Sequence, residues 1–207
     1  MKKTAIFLVT LILCVSFFIV SEAEEYVEVC GGFHIGMTYE EIVKTAHDVF
    51  GINENDIGKD DIGFGISSSD SPLTDPITNR KIDNLSLYTN ANGKVKAILV
   101  IYSPYNESLY KLSLLPDYEF LCKYISSFCG KGTVENQYVS NAIANRYKGN
   151  DDQGVLDGAS WRYTTWITRN EMIQVYINNE PYTSWKTSTK DCQQIQIGIA
   201  DIIEMNN

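Results

Sequence analysis

Three segments near the C-terminus alternate apolar and polar side chains with a period of two, and they constrain the fold more than any other feature. They cover residues 159–168, 171–178 and 193–203. That period marks strands of an antiparallel sheet with one buried face and one wetter face. In the second segment Ile173, Val175 and Ile177 alternate with Met172, Gln174 and Tyr176; in the third, Ile195, Ile197 and Ile199 alternate with Gln194, Gln196 and Gly198. In the first, Trp161, Tyr163, Thr165 and Ile167 alternate with Arg162, Thr164 and Trp166, and the short turn Thr168-Arg169-Asn170-Glu171 leads into its partner. The Ile/Val set is read as the core. The opposite face then carries Arg162, Trp166, Met172, Gln174 and Tyr176, with Gln194 and Gln196 beside them. Trp, Tyr, Met and Arg among polar residues have the composition of a protein-binding surface.

Helices precede the strands. Thr38-Tyr39-Glu40-Glu41 fits a capping box, Met37 and Ile42 sit where a hydrophobic staple packs, and Gly51 supplies a left-handed stop. Between them Tyr39, Ile42, Val43, Ala46, Val49 and Phe50 repeat at helical spacing. Strands are expected at 62–66, 82–89 and 95–102, with a long loop over 67–80 and an Asn92-Gly93 hairpin turn. The pattern then restarts: a helix opens at Pro116-Asp117, with Asp117 as its cap, and a strand is expected over 135–148. The fold class that follows is α+β. Two helix-plus-antiparallel-sheet units, 24–112 and 113–207, lie in tandem or fuse into one sheet, with helices on one face.

Phe33-His34-Ile35-Gly36-Met37-Thr38-Tyr39-Glu40-Glu41-Ile42 resembles the F-x-x-G-M-T-x-x-x-V helix start of β-lactamase inhibitor protein-like domains and of small outer-membrane assembly lipoproteins. Ile42 replaces the Val, and Leu115-Pro116-Asp117 stands where the second half would need Gly-Met-Thr. The resemblance implies a secreted, non-catalytic, partner-binding module with a helix packed on an antiparallel sheet.

The N-terminus agrees with export. Lys2 and Lys3 precede an apolar run from Ala5 to Val20, and Ser21-Glu22-Ala23 places small residues at a cleavage site after Ala23. Residues 1–23 are therefore read as a signal peptide, the product as secreted or periplasmic, and no membrane span is expected after cleavage. The net charge of -9 lacks the basic face that phosphate neutralisation needs, which argues against nucleic acid as a partner.

Cys30, Cys122, Cys129 and Cys192 then remain in an oxidising compartment, an even number that points to disulfides. Seven residues of helix rise about 10.5 Å, beyond the roughly 7 Å limit for a bridge. Cys122 and Cys129 are therefore expected to reach Cys30 or Cys192, or to stay free, rather than pair together.

Candidate chemistry elsewhere is thin. The oxygen-rich loop from Asn53 lacks ligands at positions 5 and 12 of a calcium loop, where Ile57 and Phe64 stand. Asn150, Asp151, Asp152 and Asp157 have no better spacing. His34 and His47 are the only histidines, and Gly65-Ile66-Ser67-Ser68-Ser69 lacks the closing glycine of a nucleophile elbow. No metal, cofactor or catalytic residue is assigned. The expectation is an inhibitor-like or adaptor-like module with a protein partner; the alternatives are a small secreted hydrolase using an unrecognised carboxylate site and a structural envelope component.

Overall fold

The computed structural model describes residues 26–67, 73–102, 114–138, 140–181 and 191–205. The signal segment expected at 1–23 lies outside them. In chain order the elements are α1 (Tyr39–Phe50), a 3-10 turn (Glu54–Asp56), β1 (Gly58–Lys59), β2 (Gly63–Ile66), β3 (Leu73–Asp75), β4 (Arg80–Ile82), β5 (Asn84–Thr89) and β6 (Val95–Tyr102). After these come α2 (Leu114–Cys129), β7 (Thr133–Tyr138), α3 (Asn141–Arg146), α4 (Asp151–Leu156), β8 (Ser160–Ile167), β9 (Glu171–Pro181), β10 (Asp191–Asp201) and α5 (Ile202–Met205).

The architecture is α+β. Eight strands form one antiparallel sheet in the order β1-β2-β5-β6-β10-β9-β8-β7, and β3 and β4 form a separate ribbon. The residues before and after position 112 each supply four adjacent strands, so the halves meet at the β6–β10 seam. There Ile195, Ile197 and Ile199 stand opposite Tyr102, Val100 and Ile98. All six are essentially buried. Helices pack on that side: α2 against β8, β9 and β10, and α4 against β8 and β9.

Helix α1 forms as its sequence dictates. The Glu41 amide donates to Thr38 Oγ1 (3.4 Å), Glu41 Oε2 accepts from the Thr38 amide (2.8 Å), and Gly51 closes the helix at φ +70°. Caps of this kind stabilise by about 1 kcal/mol. The preceding strap buries Phe33, Ile35 and Met37 in the same core as Ile42 and Ala46.

Several boundaries differ from expectation. The loop at 67–80 contains β3, and the strand expected at 82–89 is broken at Asp83, whose amide turns to the Ile101 carbonyl (2.8 Å). The strand expected over 135–148 stops at Tyr138. Ser140 then caps α3 by accepting from the Ile143 amide (3.3 Å), and two acidic residues occupy the first turn of α4, where the helix dipole favours them. Helix α2 begins at Leu114, so Asp117 is not its cap. Asp117 lies in the first turn and accepts from Arg80 Nε (2.9 Å) and Nη2 (2.7 Å), tying α2 to β4.

The expected disulfides are absent among the described residues. Cys30, Cys122 and Cys129 are free thiols, and the side chain of Cys192, on β10, lies outside them. Helix α2 runs through both Cys122 and Cys129, so the spacing that separates them holds. Among the described residues no helix is long and apolar enough to cross a membrane.

Candidate functional site

Register decides what the sheet presents. The Thr168 amide donates to the Glu171 carbonyl (2.9 Å), and the Glu171 amide donates to Thr168 Oγ1 (2.9 Å). Arg169 and Asn170 are thus the two loop residues of a tight hairpin. Ile167 then stands opposite Met172, Trp166 opposite Ile173, Thr165 opposite Gln174, Thr164 opposite Val175, Tyr163 opposite Tyr176 and Arg162 opposite Ile177. Residues directly opposite share a face. Trp166 and Arg162 therefore lie on the core face.

This corrects two of the expected partner-binding residues. Trp166 is 3% exposed, and its indole Nε1 donates to the Gly130 carbonyl (3.0 Å) at the end of α2. Arg162 donates to Asn136 Oδ1 (2.8 Å) and to Asp152 Oδ1 (2.6 Å), pinning α4 to the sheet. The other three residues, Met172, Gln174 and Tyr176, stand on the open face, each partly exposed. Gln196 joins them on β10, opposite Tyr176; the Gln194 side chain lies outside the described residues.

The residues missed from sequence are Trp161 and Tyr163, together with Ile167, which is 75% exposed. The signal was available in the turn. A two-residue loop forces even positions on β8 to face odd positions on β9, so an Ile173/Val175 core requires Trp166 inside and Tyr163 outside.

Two hollows lie side by side on this face. One, of about 450 Å³, is lined by Gln137, Trp161, Tyr163, Gln174 and Tyr176. The other, of about 320 Å³, is lined by Leu99, Gln174, Tyr176, Gln196 and Gly198. They share Gln174 and Tyr176, so they adjoin as one shallow, open groove on the face formed by β7, β8, β9, β10 and β6. Gln174 Nε2 donates to Thr165 Oγ1 (3.2 Å), and the Tyr163 hydroxyl donates to Glu135 Oε2 (2.7 Å) at the β7 end. Gly198 lies at the groove floor, where a Cβ would meet nothing within 4 Å.

A third hollow, of about 300 Å³, opens on the helical side between β4 and α2. It contains the Arg80–Asp117 pair and Tyr102, whose hydroxyl donates to Asp75 Oδ2 (2.7 Å). Thr78 Oγ1 donates to the same oxygen (2.7 Å), and the Ile77 amide donates to Oδ1 (2.9 Å). Burial first, then the nearby Asp75 charge, push the Cys30 thiol up, which keeps it protonated and poorly nucleophilic. These groups satisfy one another and hold the β3–β4 ribbon against the core.

The remaining candidates serve the fold. His34 Nδ1 lies 2.7 Å from the Ile35 carbonyl and its ring stacks on Tyr26, while His47 sits on the exposed side of α1 beside Asp48. Asp60 Oδ1 accepts from the Ile62 and Gly63 amides (both 2.9 Å) in a turn. Asp151 accepts from the Tyr138 hydroxyl, and Asp157 from the Tyr147 hydroxyl. No group of three or more His, Cys, Asp and Glu side chains suited to a metal occurs among the described residues.

No family model, curated protein or solved structure matches this chain.

Proposed function

We propose that this protein is an exported, non-catalytic binding module that recognises its partner on the open face of the sheet. The observation that carries the reading is the groove over five strands. On the same strands Ile173, Val175 and Ile177 are fully buried, while Trp161, Tyr163 and Tyr176 stay partly exposed. Large rings held on a stiff sheet lose little conformational freedom on binding, so they make efficient anchors. The apolar N-terminal run and the resemblance around Gly36-Met37-Thr38 support export and a binding role. The hydrolase reading has less support, because the ionisable groups of the helical-side hollow are engaged with one another.

The test immobilises the exported protein beside its Tyr176→Ala and Val175→Ala variants and challenges all three with envelope extract and with the soluble polymers named below. A ligand retained by the wild type and by folded Val175→Ala, but lost with Tyr176→Ala, is the expected result. Equal retention by all three forms, or by none, refutes the reading. N-terminal sequencing of the exported form should return Glu24.

A further inference from the structure

The groove is built from one kind of chemistry. We infer that its ligand is a neutral polysaccharide chain, lying across the strands with sugar rings against Trp161 and Tyr176 and hydroxyls held by Gln137, Gln174 and Gln196. This rests on the open face being the binding surface.

Charge is the first argument. The chain carries 26 acidic and 17 basic residues, yet among the described residues no side chain lining either hollow bears a formal charge. A charged ligand would give up hydration there without a counter-charge to replace it. Glu135 lies just outside, engaged by Tyr163, and discourages anions further.

Hydrogen-bonding character is the second. A primary amide offers two donors and a carbonyl acceptor on one planar group. A sugar hydroxyl likewise both donates and accepts, so amides match neighbouring hydroxyls where a carboxylate or guanidinium would match only half. The apolar C–H face of a pyranose ring meanwhile lies flat on the π face of Trp or Tyr.

Shape is the third. Five strands at a spacing of about 4.8 Å give the groove a length of roughly 19 Å, which suits an oligosaccharide stretch rather than a single sugar. Glycine inside a strand is less stable than alanine, and nothing within 4 Å obliges position 198 to be glycine. The bare backbone there lets a chain lie close to the sheet. A protein partner would draw on Arg anchors beside the aromatic ones, but Arg162 points to the other face.

The test is affinity electrophoresis of the exported protein in native gels containing hydroxyethylcellulose, galactomannan, xylan or amylopectin, with polygalacturonate as the charged control. At least one neutral polymer should retard the wild type, and polygalacturonate should not. Trp161→Ala and Tyr176→Ala should each weaken binding tenfold or more, and Gly198→Phe should abolish it. Ile62→Thr, exposed and remote, should leave it unchanged. Thermal melts establish which variants fold; should the alanine or phenylalanine variants fail to, Gln174→Leu and competition by free oligosaccharides of the same linkage decide the matter. The inference is overturned by retardation in no neutral gel, by retardation in polygalacturonate alone, or by retardation that no folded face variant alters. If every polymer fails but a protein from the extract is lost with Tyr176→Ala, the glycan assignment falls and the binding face stands. If nothing is retained, both fall.

Discussion

Val175 and Tyr176 are consecutive residues on β9, yet they belong to different parts of the molecule. Val175 is fully buried against the helices, in one cluster with Trp166, Ile173 and Ile197. Tyr176 stands on the far side of the same strand, partly exposed, opposite Tyr163 and over a groove whose floor is a glycine. On the first face aromatic and aliphatic groups interlock to keep water out. On the second, aromatic groups stand beside amides with room between them. The contrast shows that aromatic content alone does not mark a binding surface; what matters is which side of the pleat the register assigns to each ring.

The sharpest way to break this comparison is Trp166→Ala. A ring removed from a packed core, together with its bond to the Gly130 carbonyl, should cost about 3–5 kcal/mol. Urea denaturation showing a loss under about 1 kcal/mol would put Trp166 outside the core and overturn the facing.

The second test compares two glycines in strands of the sheet, Gly63 on β2 and Gly198 on β10. A Cβ on Gly63 would lie 2.0 Å from the Leu87 carbonyl oxygen, whereas one on Gly198 meets nothing within 4 Å. Gly63→Ala should therefore destabilise by roughly 2–3 kcal/mol, as overpacking against backbone does. Gly198→Ala should be neutral or stabilise by about 0.5–1 kcal/mol through the lost flexibility of the unfolded chain. Equal losses in chemical denaturation would mean that position 198 is constrained by the fold rather than left open.

The third test uses the neighbours themselves. Val175→Ala should cost on the order of 1–3 kcal/mol of stability with ligand retention intact. Tyr176→Ala should cost less than about 1 kcal/mol, the scale of a cross-strand pair, while retention is lost. A reversal of the two in melting and binding assays would exchange the roles of the faces.

The smallest effect concerns Glu171, a buried acid on the core face. Its Oε2 accepts from the Val27 amide (3.1 Å), and its Oε1 has no hydrogen-bond partner among the described residues. Burial raises its pKa, opposed by the Val27 amide and by His34, with Asp201 adding to the rise. The folded protein thus holds that proton more tightly than the unfolded chain does, and the charged form weakens folding as pH rises from about 4.5 through the folded-state value. Glu171→Gln should be more stable than wild type at pH 7, with the difference vanishing at pH 4 and below. Denaturation midpoints that differ by the same amount at both pH values would show that the carboxylate's charge carries no cost.

Much of this was legible residue by residue. Thr38, Glu41 and Gly51 define the ends of α1 because capping is settled within a few residues of chain. Ile173, Val175 and Ile177 identify the core face of β9 because alternation is a local property. The positions of Trp166 and Arg162 were misread for a different reason. Their own strand mixes aromatic, hydroxyl and charged groups on both sides, so its pattern does not choose a face. The choice is made by the two-residue loop Arg169-Asn170 and by the α2 terminus, which offers the indole a carbonyl at Gly130. Residues 140–148 were misread because Ser140 opens a helical turn too short to show a clear period.

By itself the sequence determined the α+β class, the capped first helix, the strand-rich C-terminal half and the uncharged character of residues such as Gln174 and Tyr176. These follow from short-range chemistry: periodicity, caps and turn residues act within one element. The fold alone settled that the two halves share one sheet through β6 and β10, and that Cys30, Cys122 and Cys129 remain thiols. Each of these depends on pairing between residues far apart in the chain, where burial on one face fixes the register and the register then places every side chain at once.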